Sequence, residues 1–151
     1  MKYWDIDEVA QDLKNKNLSE WEKTKYYIAT LFLQLALLSI TGLFFGYGVN
    51  LYVVIGLAVS ALISYFCIVN VYKSCEKSQG VSVIEALIVI GFPATVKSQT
   101  VYWAVYVVLL SGYNSAMITA STFTWIFVAL TPAYYVLFFS LVKQGVERAS
   151  I

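Results

Sequence analysis

The sequence predicts an all-α integral membrane protein whose four transmembrane helices form two hairpins, and its composition is the first reason. Of 151 residues, 60% are hydrophobic and 13% are charged, whereas about a quarter of the residues in an average soluble domain are charged. A chain this apolar can neither coat a soluble surface nor stay disordered. It has no histidine and a net charge of +1, so the usual charge signature of nucleic-acid binding is missing. The expected environment is the lipid bilayer.

The second reason is the distribution of charge. Residues 26–72 and 98–142 contain no Asp, Glu, Lys or Arg. One helical crossing of a bilayer takes about 20 residues, so each block predicts two crossings joined by a turn. Glycines at Gly46 and Gly48 predict the first turn; the second turn begins either near Ile118 or already at Ser111. The predicted spans are Tyr26–Phe45, Leu51–Tyr72, Thr100–Ile118 and Thr122–Val142.

The charged segments set the predicted organisation and topology. All ten Lys and Arg residues lie outside the two hairpin tips. Basic residues of short loops stay in the cytoplasm, so we expect both termini and the central segment to be cytoplasmic, in a membrane of the bacterial inner-membrane type. No cleavable signal peptide is expected, because the first apolar run starts late and is long enough to span. The predicted regions are an N-terminal segment 1–25, a first hairpin 26–72, a central segment 73–99, a second hairpin 100–142 and a tail 143–151.

The N-terminal segment predicts a short amphipathic helix over residues 3–14, capped by Asp5. One face of that helix is apolar. Its acids outnumber its bases, so attraction to anionic lipid is not expected to hold it. The apolar stripe either packs on the protein's own cytoplasmic surface or binds another protein, which makes three of its residues candidate docking residues. The stripe consists of Ile6, Val9, Ala10 and Leu13, and the docking candidates are Ile6, Val9 and Leu13.

The run Ser82–Phe92, which ends before Pro93, predicts a short apolar helix that does not span the membrane. Eleven helical residues rise only about 16 Å, so this helix is re-entrant, interfacial or buried under the N-terminal helix. Glu85 is its only acid. The carboxylate is either a proton or cation site at membrane depth or part of a capping box with Ser82, and the three-residue spacing favours the cap. Glu85 is also a candidate for cytoplasmic docking.

Small and polar residues recur at helical spacing within the predicted spans, and such stripes let helices approach closely. They would serve equally as internal contacts of a four-helix bundle, as a homo-oligomer interface or as the lining of a pore. Gln34 is expected to form a hydrogen bond across helices, and Pro132 to kink the fourth span. The candidate helix-contact or pore-facing residues are Thr30, Gln34, Thr41, Gly42, Gly46, Gly56, Ser60, Ser64, Thr131 and Pro132.

The residue types needed for catalysis are sparse. The spans contain no carboxylate, and Cys67 and Cys75 do not form a Cys-x-x-Cys motif. Because nucleophilic, acid–base and metal chemistry need such groups, we assign no catalytic, cofactor-binding or metal-binding residue and do not expect an enzyme. The leading prediction is an accessory, regulatory or immunity-type membrane subunit that binds itself or another protein through its cytoplasmic layer. The alternative is a homo-oligomeric pore or channel, or a small transporter; nucleic acid is not an expected partner.

Overall fold

A computed structural model describes residues 4–45, 51–77 and 82–149. All the regular structure of these residues is helical, which confirms the predicted all-α class. Five of the elements are α-helices of nine residues or more. In chain order the elements are α1 (Ile6–Lys14), α2 (Glu20–Phe45), α3 (Leu51–Lys77), α4 (Val83–Glu85), a π-helical turn (Ala86–Ile90), α5 (Gly91–Asn114) and α6 (Ala120–Ala149).

Two of these helices are long and apolar enough to cross a membrane. They are the stretches Val54–Lys77 of α3 and Ala120–Arg148 of α6. Only 18% and 22% of their most apolar stretches are buried inside the protein, whereas a helix in the core of a soluble protein is mostly enclosed. Large apolar side chains such as Leu62 and Phe66 point outward, with exposed fractions of 62% and 64%. Both helices therefore expose apolar surface along the bundle.

Helix α6 is the centre of the packing. Both α3 and α5 pack along it, α2 packs against α5 and the π turn, and α1 packs against α6 and the π turn. Helices α5 and α6 are consecutive in the chain and pack against each other. The continuous apolar core lies toward the end of the bundle where α1 sits, and its fully enclosed side chains include Val9, Ala10, Val89, Ile90, Val142 and Val146.

The predicted separate helix over Ser82–Phe92 is not separate in the structure. Helix α4, the π turn and α5 follow one another without a break, so helical backbone continues through Pro93 to Asn114. Pro93 has no N–H to donate and its ring crowds the preceding turn. The π turn precedes it directly, with the Gly91 N–H donating to the Ala86 carbonyl, and this wider turn accommodates the proline. The helix that holds the predicted third span thus starts at Gly91 and not at Thr100.

Candidate functional site

Charged side chains from five parts of the chain meet at one end of the bundle, which we call the charged end. It consists of α1, the first turns of α2, the last turn of α3, α4 with the start of α5, and the last turns of α6. Arg148 binds Asp7, Lys23 binds Glu85, and the Ser74 hydroxyl donates to Glu147 at 3.2 Å. These contacts join residues that are far apart in sequence. Lys97 of α5, the helix that continues from α4, also lies over the Trp4 ring before α1, so the charged end is one connected layer.

Helix α1 is fixed in this layer by its cap and its apolar face. The Asp5 carboxylate accepts hydrogen bonds from the backbone N–H groups of Asp7 and Glu8, at 3.0 and 3.2 Å. The predicted stripe is buried: Ile6, Val9 and Leu13 are exposed by 6% or less. It packs on α6 and the π turn. The predicted docking residues on α1 therefore contact the protein itself, which is the first of the two alternatives.

Gly145 of α6 makes this close approach possible. A Cβ atom added there would lie 2.7 Å from Ile6 Cγ2 and 2.8 Å from Ile90 Cγ2. Three segments, α1, the π turn and α6, thus converge on a position where only a hydrogen atom fits. The ammonium group of Lys97 lies 5.8 Å from the ring centroid of Trp4, just before α1. This cation–π contact adds to the apolar packing that holds α1.

Glu85 forms the capping box that the sequence favoured. The Ser82 hydroxyl accepts from the Glu85 N–H at 3.1 Å, and Glu85 Oε2 accepts from the Ser82 N–H at 3.4 Å. Its other oxygen, Oε1, binds Lys23 Nζ at 2.8 Å, and Lys23 also donates to Glu20 Oε1 at 2.8 Å. This link from α2 to α4, across 62 residues, was missed by sequence reasoning because nothing local marks it.

The ion pair fixes the protonation of both partners. The hydrogen bond from Lys23, helped by the bonds from Ser82, lowers the pKa of Glu85 below its ordinary value. The hydrogen bonds to Glu20 and then Glu85 raise the pKa of Lys23. Both groups are therefore charged at neutral pH. A carboxylate in this state is a fixed anion at the helix N-terminus, where negative charge is favourable.

A groove opens beside the ion pair, between the start of α2 and the α4–π-turn segment. It has a volume of about 280 Å³. Its rim carries Ile84 and Tyr27, with exposed fractions of 70% and 47%, so apolar side chains stand next to charged ones. The lining residues are Glu20, Lys23, Thr24, Tyr27, Ile84, Glu85, Ile88 and Val89.

The candidate residues of the first predicted span are only partly described. Thr30 is buried, and its hydroxyl donates to the Tyr26 carbonyl at 2.9 Å. Gln34 lies on the exposed face of α2. The glutamine that bonds across helices is instead Gln99 of α5, whose Nε2 donates to the Leu33 carbonyl at 2.9 Å. Gly46, the side chain of Thr41 and the surroundings of Gly42 lie outside what the structure describes.

The small-residue stripe of α3 contacts α6. A Cβ atom added at Gly56 would lie 3.4 Å from Val128 Cγ1 and 3.9 Å from the Val128 carbonyl oxygen. That carbonyl lacks its usual partner because Pro132, four residues later, has no N–H, yet α6 stays helical through Pro132. Ser60 is buried one turn after Gly56, and Ser64 and Thr131 are half-buried. Gly56 therefore works as an internal contact residue.

The α5–α6 contact depends on aromatic side chains that the sequence analysis did not single out. Tyr102 and Tyr106 of α5 each pack edge-on against Phe127 of α6, with ring centroids 6.4 and 5.9 Å apart. Tyr102 also contacts Tyr134 at 6.0 Å. Tyr102 and Tyr106 are four residues apart and Phe127 and Tyr134 are seven apart, about one and two helical turns, so each pair lies on one face of its helix. This signal was present in the sequence.

Comparison with protein-family models, with curated proteins and with solved structures finds no match to this chain. Within residues 4–45, 51–77 and 82–149, no group of three or more Cys, Asp or Glu side chains is arranged to hold a metal ion. The site is therefore defined by its own geometry: a connected charged layer with a groove at one edge.

Proposed function

We propose that the protein is a four-span membrane subunit that acts by binding a second copy of itself or another protein through the charged end. The observation that carries this proposal is the construction of that end. An additional helix, α1, packs across the last turns of α6. Gly145 permits the close approach, and the buried stripe of α1 and the Arg148–Asp7 ion pair stabilise it. An ordered layer of this kind presents a fixed surface, which is what specific binding requires.

The four-span arrangement is supported by the two remaining long helices. Helices α2 and α5 have 26 and 24 residues, and about 20 are enough to cross. Both expose large apolar side chains, among them Phe32 at 70% and Val108 at 71%. The turn between α5 and α6, residues 115–119, carries no charge. By the distribution of basic residues, the charged end faces the cytoplasm of a bacterial-type inner membrane.

Cysteine labelling tests this arrangement. In a background with Cys67→Ser and Cys75→Ser, one variant carries Ser115→Cys in the α5–α6 turn and a matched variant carries Asn17→Cys at the charged end; both positions are exposed. A membrane-impermeant maleimide should label the Ser115 variant in intact cells, and the Asn17 variant only after permeabilisation. Reversed labelling would contradict the orientation, and labelling of both in intact cells would contradict the four spans.

Photo-crosslinking tests the binding surface. Gln11 lies on the exposed face of α1, whereas Met117, 85% exposed, lies at the opposite end of the bundle. A photoreactive amino acid at Gln11 should give a discrete product in native membranes: twice the mass for self-association, or another fixed mass for a partner. The same group at Met117 is the control and should give none. Equal products at both positions, or none at Gln11, would contradict the proposal.

The pore alternative receives no comparable support. A pore lined by the small-residue stripe needs Gly56 and Ser60 to face an open axis, but Gly56 packs on Val128 of α6. Ion flux through liposomes that contain the purified protein would restore this alternative, and it is the measurement to run alongside crosslinking.

A further inference from the structure

We propose that the groove beside the Lys23–Glu85 pair binds the headgroup of a zwitterionic phospholipid that carries a primary ammonium, the phosphoethanolamine class. This inference rests on the membrane arrangement given under the proposed function, but not on the binding of a protein partner. It assigns a ligand to a site whose lining mixes ionised and apolar side chains, the combination that an amphiphile presents.

The groove lies where a headgroup would be. It is at the start of α2, where the last charge, Lys25, gives way to the apolar stretch that begins at Tyr26. Trp21 is 64% exposed, with Lys25 Nζ 5.5 Å from the centroid of its ring, and Tyr27 is on the groove's rim. Exposed Trp and Tyr side chains prefer the interface between hydrocarbon and water. The groove therefore opens at the level of the lipid phosphates.

The charges in the groove match both halves of such a headgroup. Lys23 uses two of its three N–H groups for Glu20 and Glu85, so one N–H is left for a phosphate oxygen. Glu20 is 89% exposed and can accept from an ammonium group. With two carboxylates around one lysine, the groove has a surplus negative charge that disfavours a purely anionic headgroup. A trimethylammonium group lacks the N–H that a carboxylate accepts, so it should bind more weakly.

The dimensions also favour a headgroup over a larger occupant. At about 280 Å³ the groove is at the lower limit of pockets that hold a drug-sized molecule, a volume that suits a single headgroup. The apolar side chains of Ile84 and Ile88 are among its lining residues, and they can contact the glycerol and the first acyl methylenes.

Native mass spectrometry of the full chain tests the proposal. The detergent-solubilised protein is titrated with phosphatidylethanolamine, phosphatidylcholine and phosphatidylglycerol of identical acyl chains. The ethanolamine lipid should bind several-fold more tightly than the other two. Glu20→Gln should weaken its binding about two- to fivefold, the range of an exposed ion pair, without changing the choline lipid. Because Glu20 is 89% exposed, we expect this variant to retain the fold, and circular dichroism is the measurement that checks it.

The matched control is Glu76→Gln, an exposed carboxylate at the same end but outside the groove, which should leave all three affinities unchanged. Equal binding of the three lipids, or equal loss in both variants, would overturn the headgroup site. Free phosphoethanolamine is the second probe: if it competes at millimolar concentration, the headgroup alone is recognised, and if it does not compete, the site as proposed is wrong. Resistance to alkaline carbonate extraction, measured separately, reports on membrane insertion, so the two proposals fail independently.

Discussion

Arg148 Nη1 donates to both carboxylate oxygens of Asp7, at 2.9 and 2.7 Å. The two residues are 141 positions apart, and their contact ties the first helix of the chain to the last turn of α6. The pair is about half exposed, so its contribution is modest compared with the buried stripe beneath it. Its geometry nevertheless fixes the orientation in which α1 lies across α6.

Loss of this ion pair should loosen α1 without unfolding the bundle. An exposed pair contributes up to about 1 kcal/mol, so Arg148→Gln should raise the hydrogen-exchange rate of α1 amides by less than about tenfold. The amides of α3 should be unaffected. The control is Lys143→Gln, which removes the longer 3.6 Å contact with Glu147 within α6 and should not change α1. Equal effects of both variants on α1 would show that net charge, and not the Asp7 contact, matters.

A methyl group at Gly145 should displace α1. Its Cβ would come within 2.8 Å of Ile6 and Ile90, and overpacking of this kind costs about 1–3 kcal/mol. We expect Gly145→Ala to lower the free energy of unfolding by that amount and to expose the Ile6–Leu13 stripe to proteolysis. Gly91→Ala is the control, because its Cβ would meet Phe138 at an ordinary 3.7 Å and alanine favours helix. A neutral Gly145→Ala would contradict the described packing of α1.

Gln99 and Gln34 form a matched pair for the contact between α2 and α5. Gln99 is 8% exposed and donates to the Leu33 carbonyl, whereas Gln34 is exposed. Cross-helix hydrogen bonds in membrane proteins contribute about 0.6 kcal/mol on average and less than about 2 kcal/mol. Gln99→Ala should therefore lower the free energy of unfolding by about 1 kcal/mol in denaturant titration of the detergent-solubilised protein. Gln34→Ala should change it by less than half of that; the opposite order would return the cross-helix role to Gln34.

The Lys23–Glu85 pair predicts acid-sensitive stability. Hydrogen bonds from Lys23 and Ser82 hold the pKa of Glu85 below 4.5, its ordinary value, so its contribution is complete above pH 4.5 and is lost as the pH falls through the lowered pKa. The pKa of Lys23 is raised above 10.5, so its contribution is lost only as the pH rises beyond that. We expect the melting temperature, measured between pH 3 and pH 7, to fall less steeply toward acid pH in Lys23→Met than in the native chain.

The control for this experiment is Lys77→Met, an exposed lysine at the end of α3. It should keep the native acid dependence. Glu22, whose pKa is lowered by the bonds from Ser19, titrates in all three proteins and cancels in the comparison. If the Lys23 and Lys77 variants had identical pH profiles, the ion pair with Lys23 would not be what lowers the pKa of Glu85.

Features encoded in short stretches of sequence were predictable. The three-residue spacing of Ser82 and Glu85 specifies a capping box, and the structure contains it. The stripe from Ile6 to Leu13 specifies an apolar face, and that face is buried. Local hydrogen-bond and helix periodicities depend on residues within one or two turns, so no knowledge of the tertiary structure was needed.

Features that depend on distant residues were not predictable in the same way. Lys23 could have paired with several acids, and only the packing of α2 beside α4 selects Glu85. Gln34 and Gln99 look alike as isolated polar residues in apolar runs, and the rotation of each helix decides which one faces a neighbour. Pro93 suggested a helix end, but the π turn before it lets the helix continue. Each of these outcomes is decided by tertiary packing that overrides a local preference.

The position of α1 has a consequence for biosynthesis. Its binding surface is built from the π turn and from α6, which leave the ribosome long after α1 itself. During translation the Ile6–Leu13 stripe therefore has no place to pack until α6 has been synthesised. A nascent chain stalled before Gly145 should bind chaperones through this stripe, and a chain that contains all of α6 should not.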